Sequence, residues 1–250
     1  MMRIFEGLRF RRVESPIHNL DPRSKAVFLV VLSSLSILYS DPLTLTILLI
    51  IQVPLVYMAR VIKFWLNSLR GSAFLMIFIF IVNFLTSYFY MGGFTVDGLI
   101  MSLSMTVRFI TLIGAFSLFF LTTTPDDLSL ALEKLKIPYD ICFAFTAAMR
   151  FVPDIALEAQ SIMDAQKSRG LELEKGKFMD RIRNMLPILV PLFIRSFQRS
   201  MELAEAMESR AYGAIRKRTS LCELKMSRKD YALITFSILF MLIVIFVKSF

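Results

Sequence analysis

Five apolar runs, at 26–39, 43–59, 72–91, 99–121 and 231–247, leave this chain of 250 residues few ways to fold in water. At ~1.5 Å per helical residue, the last four reach or approach the span of a ~30 Å hydrocarbon core. The first is short and is expected to begin a few residues earlier. There Asp21 can cap a helix and Pro22 suits its first turn. The chain is 56% hydrophobic, with 24 Phe and 15 Met, which is too apolar for an ordinary soluble domain. The reading is an all-α polytopic membrane protein with about five transmembrane helices.

The charges test this layout. If the runs alternate across the bilayer, 27 of the 29 Lys and Arg fall on one side, and only Arg108 and Lys248 remain. The turns at 40–42 and 92–98 carry no Lys or Arg. By the positive-inside rule the basic side is cytosolic, N-terminus included, so the protein is expected in the cell membrane as a multi-pass chain. The same rule accounts for the net charge of +9 without nucleic acid. Residues 1–25 hold six Lys/Arg and no apolar core, so they read as a cytosolic segment rather than a signal peptide. Cys142 and Cys222 cannot build a disulfide framework. The expected organisation is a cytosolic segment 1–25, four spans in 26–121, a cytosolic or interfacial domain 122–229, and a last span and tail in 230–250. Residues 60–70, with Arg60, Lys63, Arg70 and the only Trp, are expected as a basic loop.

The 122–229 domain carries helix signals. Thr124-Pro125-Asp126-Asp127 starts one helix, Pro138 opens a long one closed at Gly170, and Phe178 or Asp180 opens another that runs to Arg210 or Tyr212 before Gly213. Pro153, Pro187 and Pro191 should kink or divide these helices. The apolar stretches 141–149 and 186–194 are too short to cross a bilayer. An interfacial position fits them, and a dip into the bilayer is the rival reading.

Two helix ends share one pattern, Ala-x-x-Ser-Arg followed by a small residue: Ser168-Arg169-Gly170 and Ser209-Arg210-Ala211. A cation in a last turn is ordinary helix chemistry, because it answers the negative end of the dipole. Two features shift the balance towards function. The tip occurs twice, and each Arg continues a largely apolar face: Leu203, Ala206 and Met207 before Arg210, Ile162, Ala165 and Gln166 before Arg169. A planar guanidinium at the end of a packing face suits anchoring in a groove. A second stripe, with Phe193, Phe197 and Met201 at helical spacing, is expected with Phe151 and Ile155 to pack between helices or against a membrane partner.

These tips, together with Asp21-Pro22-Arg23, Thr122-Thr123-Thr124-Pro125, Arg150-Phe151-Val152-Pro153 and Glu158-Ala159, resemble the T component of energy-coupling factor importers. The resemblance covers most of the chain and is densest from 122 to 213. It implies a non-catalytic transmembrane scaffold whose long coupling helices dock on two ABC-type ATPase subunits, one Arg tip on each. It also implies a partner, a small substrate-binding membrane protein, for uptake of a vitamin or metal ion. Ser-Arg-Ala at the second tip departs mildly from a glycine-ending form.

The residues themselves favour a non-catalytic role. There is no phosphate-binding loop: from Gly170 to Gly176-Lys177 the spacing is one residue too long, and Phe178 follows. His18 is the only histidine, and with two distant cysteines it makes no metal set, so no cofactor or metal is expected. Arg108 is the one ionisable residue within the spans, with pairing inside the bundle and partner binding both open to it. The alternative is the permease subunit of a conventional ABC importer with its own substrate path. The near-absence of intramembrane charge and the doubled tips argue against it. With the topology read here, a Cys at position 97 labels from outside the cell and a Cys at position 175 only from inside. Labelling of both from one side would overturn the five-span layout.

Overall fold

The computed structural model describes residues 15–91, 93–171, 178–214, 224 and 226–249. These form nine helices and no strand among the described residues: α1 Pro22–Leu38, α2 Pro42–Met58, α3 Ile62–Gly71, α4 Ala73–Met91, α5 Val96–Thr122, α6 Pro125–Lys134, α7 Tyr139–Ser168, α8 Phe178–Ser209 and α9 Arg228–Ser249. The protein is an all-α membrane-type chain. It divides into two compact units. One takes in the described residues of Arg11–Ile137 and Leu224–Phe250, the other those of Pro138–Glu223. Helix α6 therefore clusters with the bundle helices, not with α7 and α8.

Two helices, α5 and α9, are long and apolar enough to cross a membrane. Helices α3 and α4, bent by 48° at a short break, together make a third candidate. Helices α1 and α2 have 17 residues each, which at 1.5 Å per residue is about 26 Å, short of a full core.

The expected basic loop at 60–70 is instead the amphipathic helix α3. Its inner face carries Trp65, 6% exposed, with Val61 beside it in the core. Lys63, Asn67 and Arg70 lie on the opposite, exposed face. The charges mark a surface, and they recur at the period that makes it helical.

Helix α5 is the centre of the bundle unit and touches α1, α2, α3 and α4. Leu32, Leu35, Leu45, Leu48 and Val56 are at most 1% exposed and fill the space around it. Close approach to α5 depends on Gly114. A Cβ there would lie 2.6 Å from Gln52 Oε1 and 3.1 Å from the Trp65 ring. The gap lets Trp65 Nε1 donate to the Gly114 carbonyl at 3.0 Å, while Gln52 Nε2 donates to the Thr111 carbonyl at 3.1 Å. Buried side-chain donors thus find backbone acceptors, as an apolar interior demands.

Arg108 pairs within the bundle. Its Nη2 donates to the Tyr39 carbonyl at 3.1 Å and to Ser40 Oγ at 2.8 Å. Tyr39 is the C-cap of α1, so the guanidinium sits at the negative end of that helix. Lys248 and Asp41 form an ion pair beside the same turn.

The other end of the unit is tied by two buried charges. The Asp230 carboxylate accepts from the backbone N–H of Asp21 at 2.7 Å, from that of Ser227 at 2.7 Å and from Ser24 Oγ at 3.1 Å. Lys25 Nζ donates to the Thr122 carbonyl at 2.8 Å and to the His18 carbonyl at 3.2 Å. The N-terminal ends of α1 and α9 thus meet one anion, and the C-terminal end of α5 meets one cation. His18 holds its proton less firmly than a free imidazole, first because it is partly buried and then because Lys25 is nearby.

Asp230→Asn removes the charge and one acceptor oxygen from a residue 1% exposed. The expected loss is ~2–4 kcal/mol, read as a lower thermal midpoint of the detergent-solubilised protein. Ser24→Ala removes one neutral hydroxyl, shared between the Asp21 carbonyl at 2.7 Å and the Asp230 carboxylate at 3.1 Å, and should cost only ~1–2 kcal/mol.

Candidate functional site

The second unit is built on two long helices, α7 and α8. Asp154 and Glu158 lie one turn apart on α7, and Arg199 and Arg195 lie one turn apart on α8. They join as Arg199–Asp154 and Arg195–Glu158, both at 3.5 Å. The Arg199 guanidinium also stands 5.6 Å from the centre of the Phe151 ring. Further along, Gln166 meets Pro187, and at the other end Phe143 meets Tyr212. The partners climb one helix as they descend the other, so the pair is antiparallel.

Three prolines sit inside these helices without dividing them: Pro153 in α7, and Pro187 and Pro191 in α8. Each lacks an N–H and frees the carbonyl four residues before it. Pro191 frees that of Pro187, and Gln166 Nε2 donates to this oxygen at 3.2 Å.

Both Arg tips have the same construction. Helix α7 ends at Ser168, with Arg169 as its C-cap and Gly170 at φ +89°. The N–H of Leu171 bonds the Gln166 carbonyl at 3.0 Å, and that of Gly170 bonds the Lys167 carbonyl at 2.9 Å. Helix α8 ends at Ser209, followed by Arg210 and then Ala211 at φ +57°. There the N–H of Tyr212 bonds the Met207 carbonyl at 2.9 Å, and that of Ala211 bonds the Glu208 carbonyl at 2.9 Å. This is the Schellman closure in both cases, with the arginine at the same place in each. Each serine folds its hydroxyl onto its own helix, Ser168 Oγ to the Asp164 carbonyl and Ser209 Oγ to the Ala206 carbonyl, both at 3.0 Å.

The residue that turns the chain at the second tip is therefore Ala211, one position after the cap, and not Gly213. Gly213 is left-handed as well, at φ +87°, but it belongs to the turn beyond. Arg169 and Arg210 are exposed, and among the described residues neither has a carboxylate partner. Leu203 and Met207 before Arg210, and Ile162 and Gln166 before Arg169, are half-buried. Ala206 and Ala165, the middle members of the two expected faces, are exposed, so each tip emerges from a face that is only partly packed.

The two tips differ in their support. Tyr212, just past the second, lies with its ring 5.6 Å from that of Phe143, which stacks on Tyr139 at 6.2 Å. Its hydroxyl reaches Asp140 Oδ1 at 3.4 Å. The second tip is thereby tied to the first turn of α7, and the first tip lies at the far end of that 30-residue helix. At 1.5 Å per residue the arginines stand roughly 40 Å apart.

The apolar stripe splits. Phe151 and Ile155 are half-buried, whereas Phe193, Phe197 and Met201 are 63%, 68% and 66% exposed. Among the described residues those three are not packed between helices. With Met179, Ile182, Leu186 and Val190 they continue one outward apolar face along α8. The ionic and aromatic ties of the pair were missed from sequence. The signal was present, since acids one turn apart on one helix match arginines one turn apart on the next.

An all-α membrane chain with two identically closed Arg tips defines a class, and comparison with known proteins specifies it. A family model described as CbiQ, cobalt transport protein, matches residues 13–221. The chain belongs to this family and is a transmembrane component of the energy-coupling factor type. A protein of Brevibacillus brevis named energy-coupling factor transporter transmembrane protein EcfT is 33% identical over 247 residues, covering 92% of this chain and 93% of its own. Proteins of the same name from Staphylococcus aureus and Bacillus subtilis are 34% and 30% identical, over 89% and 94% of this chain and 89% and 95% of theirs.

An alanine at φ +57° carries a steric cost that glycine avoids. Ala211→Gly should stabilise the last turn of α8 by about 1 kcal/mol, slowing hydrogen exchange there roughly fivefold. Unchanged exchange would show that Ala211 bears no strain.

Proposed function

We propose that the chain is the non-catalytic coupling subunit of an energy-coupling factor importer. Arg169 and Arg210, each with its flanking residues Ser168, Gly170, Ser209 and Ala211, dock one ABC-type ATPase subunit apiece. The outward face with Phe193, Phe197 and Met201 holds a small substrate-binding membrane protein. ATP-driven motion of the ATPases passes through α7 and α8 to that protein, which takes up a vitamin or metal ion. The bundle sits in the cell membrane with the N-terminus and both tips in the cytosol.

One observation carries this reading: two exposed arginines in identical helix closures, at opposite ends of an antiparallel pair. A lone helix-end cation has no need of a twin in the same backbone geometry. Two equal partners do, and a spacing of roughly 40 Å gives each its own site. A guanidinium supplies planar paired donors to carboxylates or carbonyls in a receiving groove.

Arg169→Ala and Arg210→Ala should each weaken assembly by ~2–5 kcal/mol, as expected for a charge lost from a buried interface. The double variant should lose the ATPases on co-purification and lose uptake in vesicles, while still inserting into the membrane. Arg→Lys at either tip should also impair, because an ammonium cannot make the planar contact. Wild-type assembly and uptake by the double alanine variant would reduce both arginines to helix-end cations.

A further inference from the structure

The two tips close alike, but the residues that make the closure differ. In the Schellman geometry the second residue past the cap returns its N–H to the helix. At the first tip that residue is Leu171, and at the second it is Tyr212. The turning residues differ as well. Gly170 takes φ +89° without steric cost, whereas Ala211 at φ +57° is held in a conformation that its Cβ disfavours. The tip with the costlier turn is the one that carries a ring.

That ring has a fixed seat. It lies 5.6 Å from the ring of Phe143, which stacks on Tyr139 one turn away at 6.2 Å. Both belong to the start of α7, where the Pro138 carbonyl accepts the N–H of Ile141 at 3.1 Å and Cys142 is buried. The Tyr212 hydroxyl reaches Asp140 Oδ1 only at 3.4 Å, a long bond, so the ring carries most of the contact. Arg210 stands between the Met207 carbonyl and the Tyr212 N–H that bonds it at 2.9 Å. Holding Tyr212 therefore holds the backbone on both sides of the arginine.

We infer that Tyr212 is a positioning residue for Arg210, pinning the second closure to the first turn of α7 so that this tip meets its ATPase subunit with the arginine already aimed. The inference rests on the docking reading above and adds that the two sites are unequal. A segment ordered beforehand avoids part of the entropy lost on binding. Leu171 gives the first tip no such ring contact.

Binding of the ATPase subunits to the immobilised full chain in detergent is measured in two backgrounds. With Arg169→Ala only the second arginine is left. There Tyr212→Leu, which copies the first tip, should weaken binding about three- to tenfold, the worth of one aromatic contact. With Arg210→Ala the same change should have no effect, because no arginine remains at that tip to be aimed. Tyr212→Phe should keep binding in the first background. Tyr212 is 38% exposed, so neither variant opens the core. In the free chain, Tyr212→Leu should speed hydrogen exchange at the amides of Ala211 and Tyr212 by a similar factor and leave those of Gly170 and Leu171 unchanged.

Equal loss of binding in the two backgrounds would make Tyr212 a general support of the fold and overturn the inference. So would unchanged binding by Tyr212→Leu beside Arg169→Ala, failure of Tyr212→Phe to keep it, or unchanged exchange at the second tip. If the chain lacking both arginines still binds the ATPases, the docking reading fails and this inference falls with it. If that chain loses them while Tyr212→Leu has no effect, this inference alone is overturned.

Discussion

The carboxylate of Asp230 is the constraint on which the bundle depends. It receives backbone N–H groups from the starts of α1 and α9, joining residues 209 positions apart. A helix start leaves N–H groups without partners, and in an apolar surrounding each would be costly. One buried anion answers two such starts, and Lys25 answers the end of α5 in the opposite sense. The charges are tolerated inside because nearly every neighbour is a helix end of complementary polarity. Close packing of α5 then follows from small residues rather than further charge. Gly114 admits Trp65 and Gln52 to the helix backbone, which fixes α3 and α2 in turn.

What the sequence makes legible follows from the range of the interactions. The apolar runs are local signals, and each lies in a helix. Thr124 as a cap is local too, with its Oγ1 accepting the N–H of Asp127 at 3.1 Å. Helix α3 was hidden because its charges suggested a loop, while its fixing contact, Trp65 to Gly114, lies 49 positions away. The role of Arg108 needed the fold as well, since its partners Tyr39 and Ser40 are on another helix.

The candidate site shows the same division. The doubled Ser-Arg tip is visible in the chain, because helix ends are read from a few adjacent residues. That both tips close by the same two hydrogen bonds is not visible, since Ala211 adopts a conformation that its side chain disfavours. The tether of Tyr212 to Phe143 spans most of the unit, and no periodicity announces it.

Pro187 and Pro191 lie one turn apart on the same side of α8, so two rungs of its ladder are missing on one flank. Rigidity along α8 is therefore uneven. The part from Arg195 to Arg210 keeps its backbone ladder and is joined to α7 by two ion pairs, with the Tyr212 ring just beyond it. The amide of Gln166 returns a partner to one of the carbonyls these prolines free, so α7 replaces from outside a rung that α8 cannot supply from within.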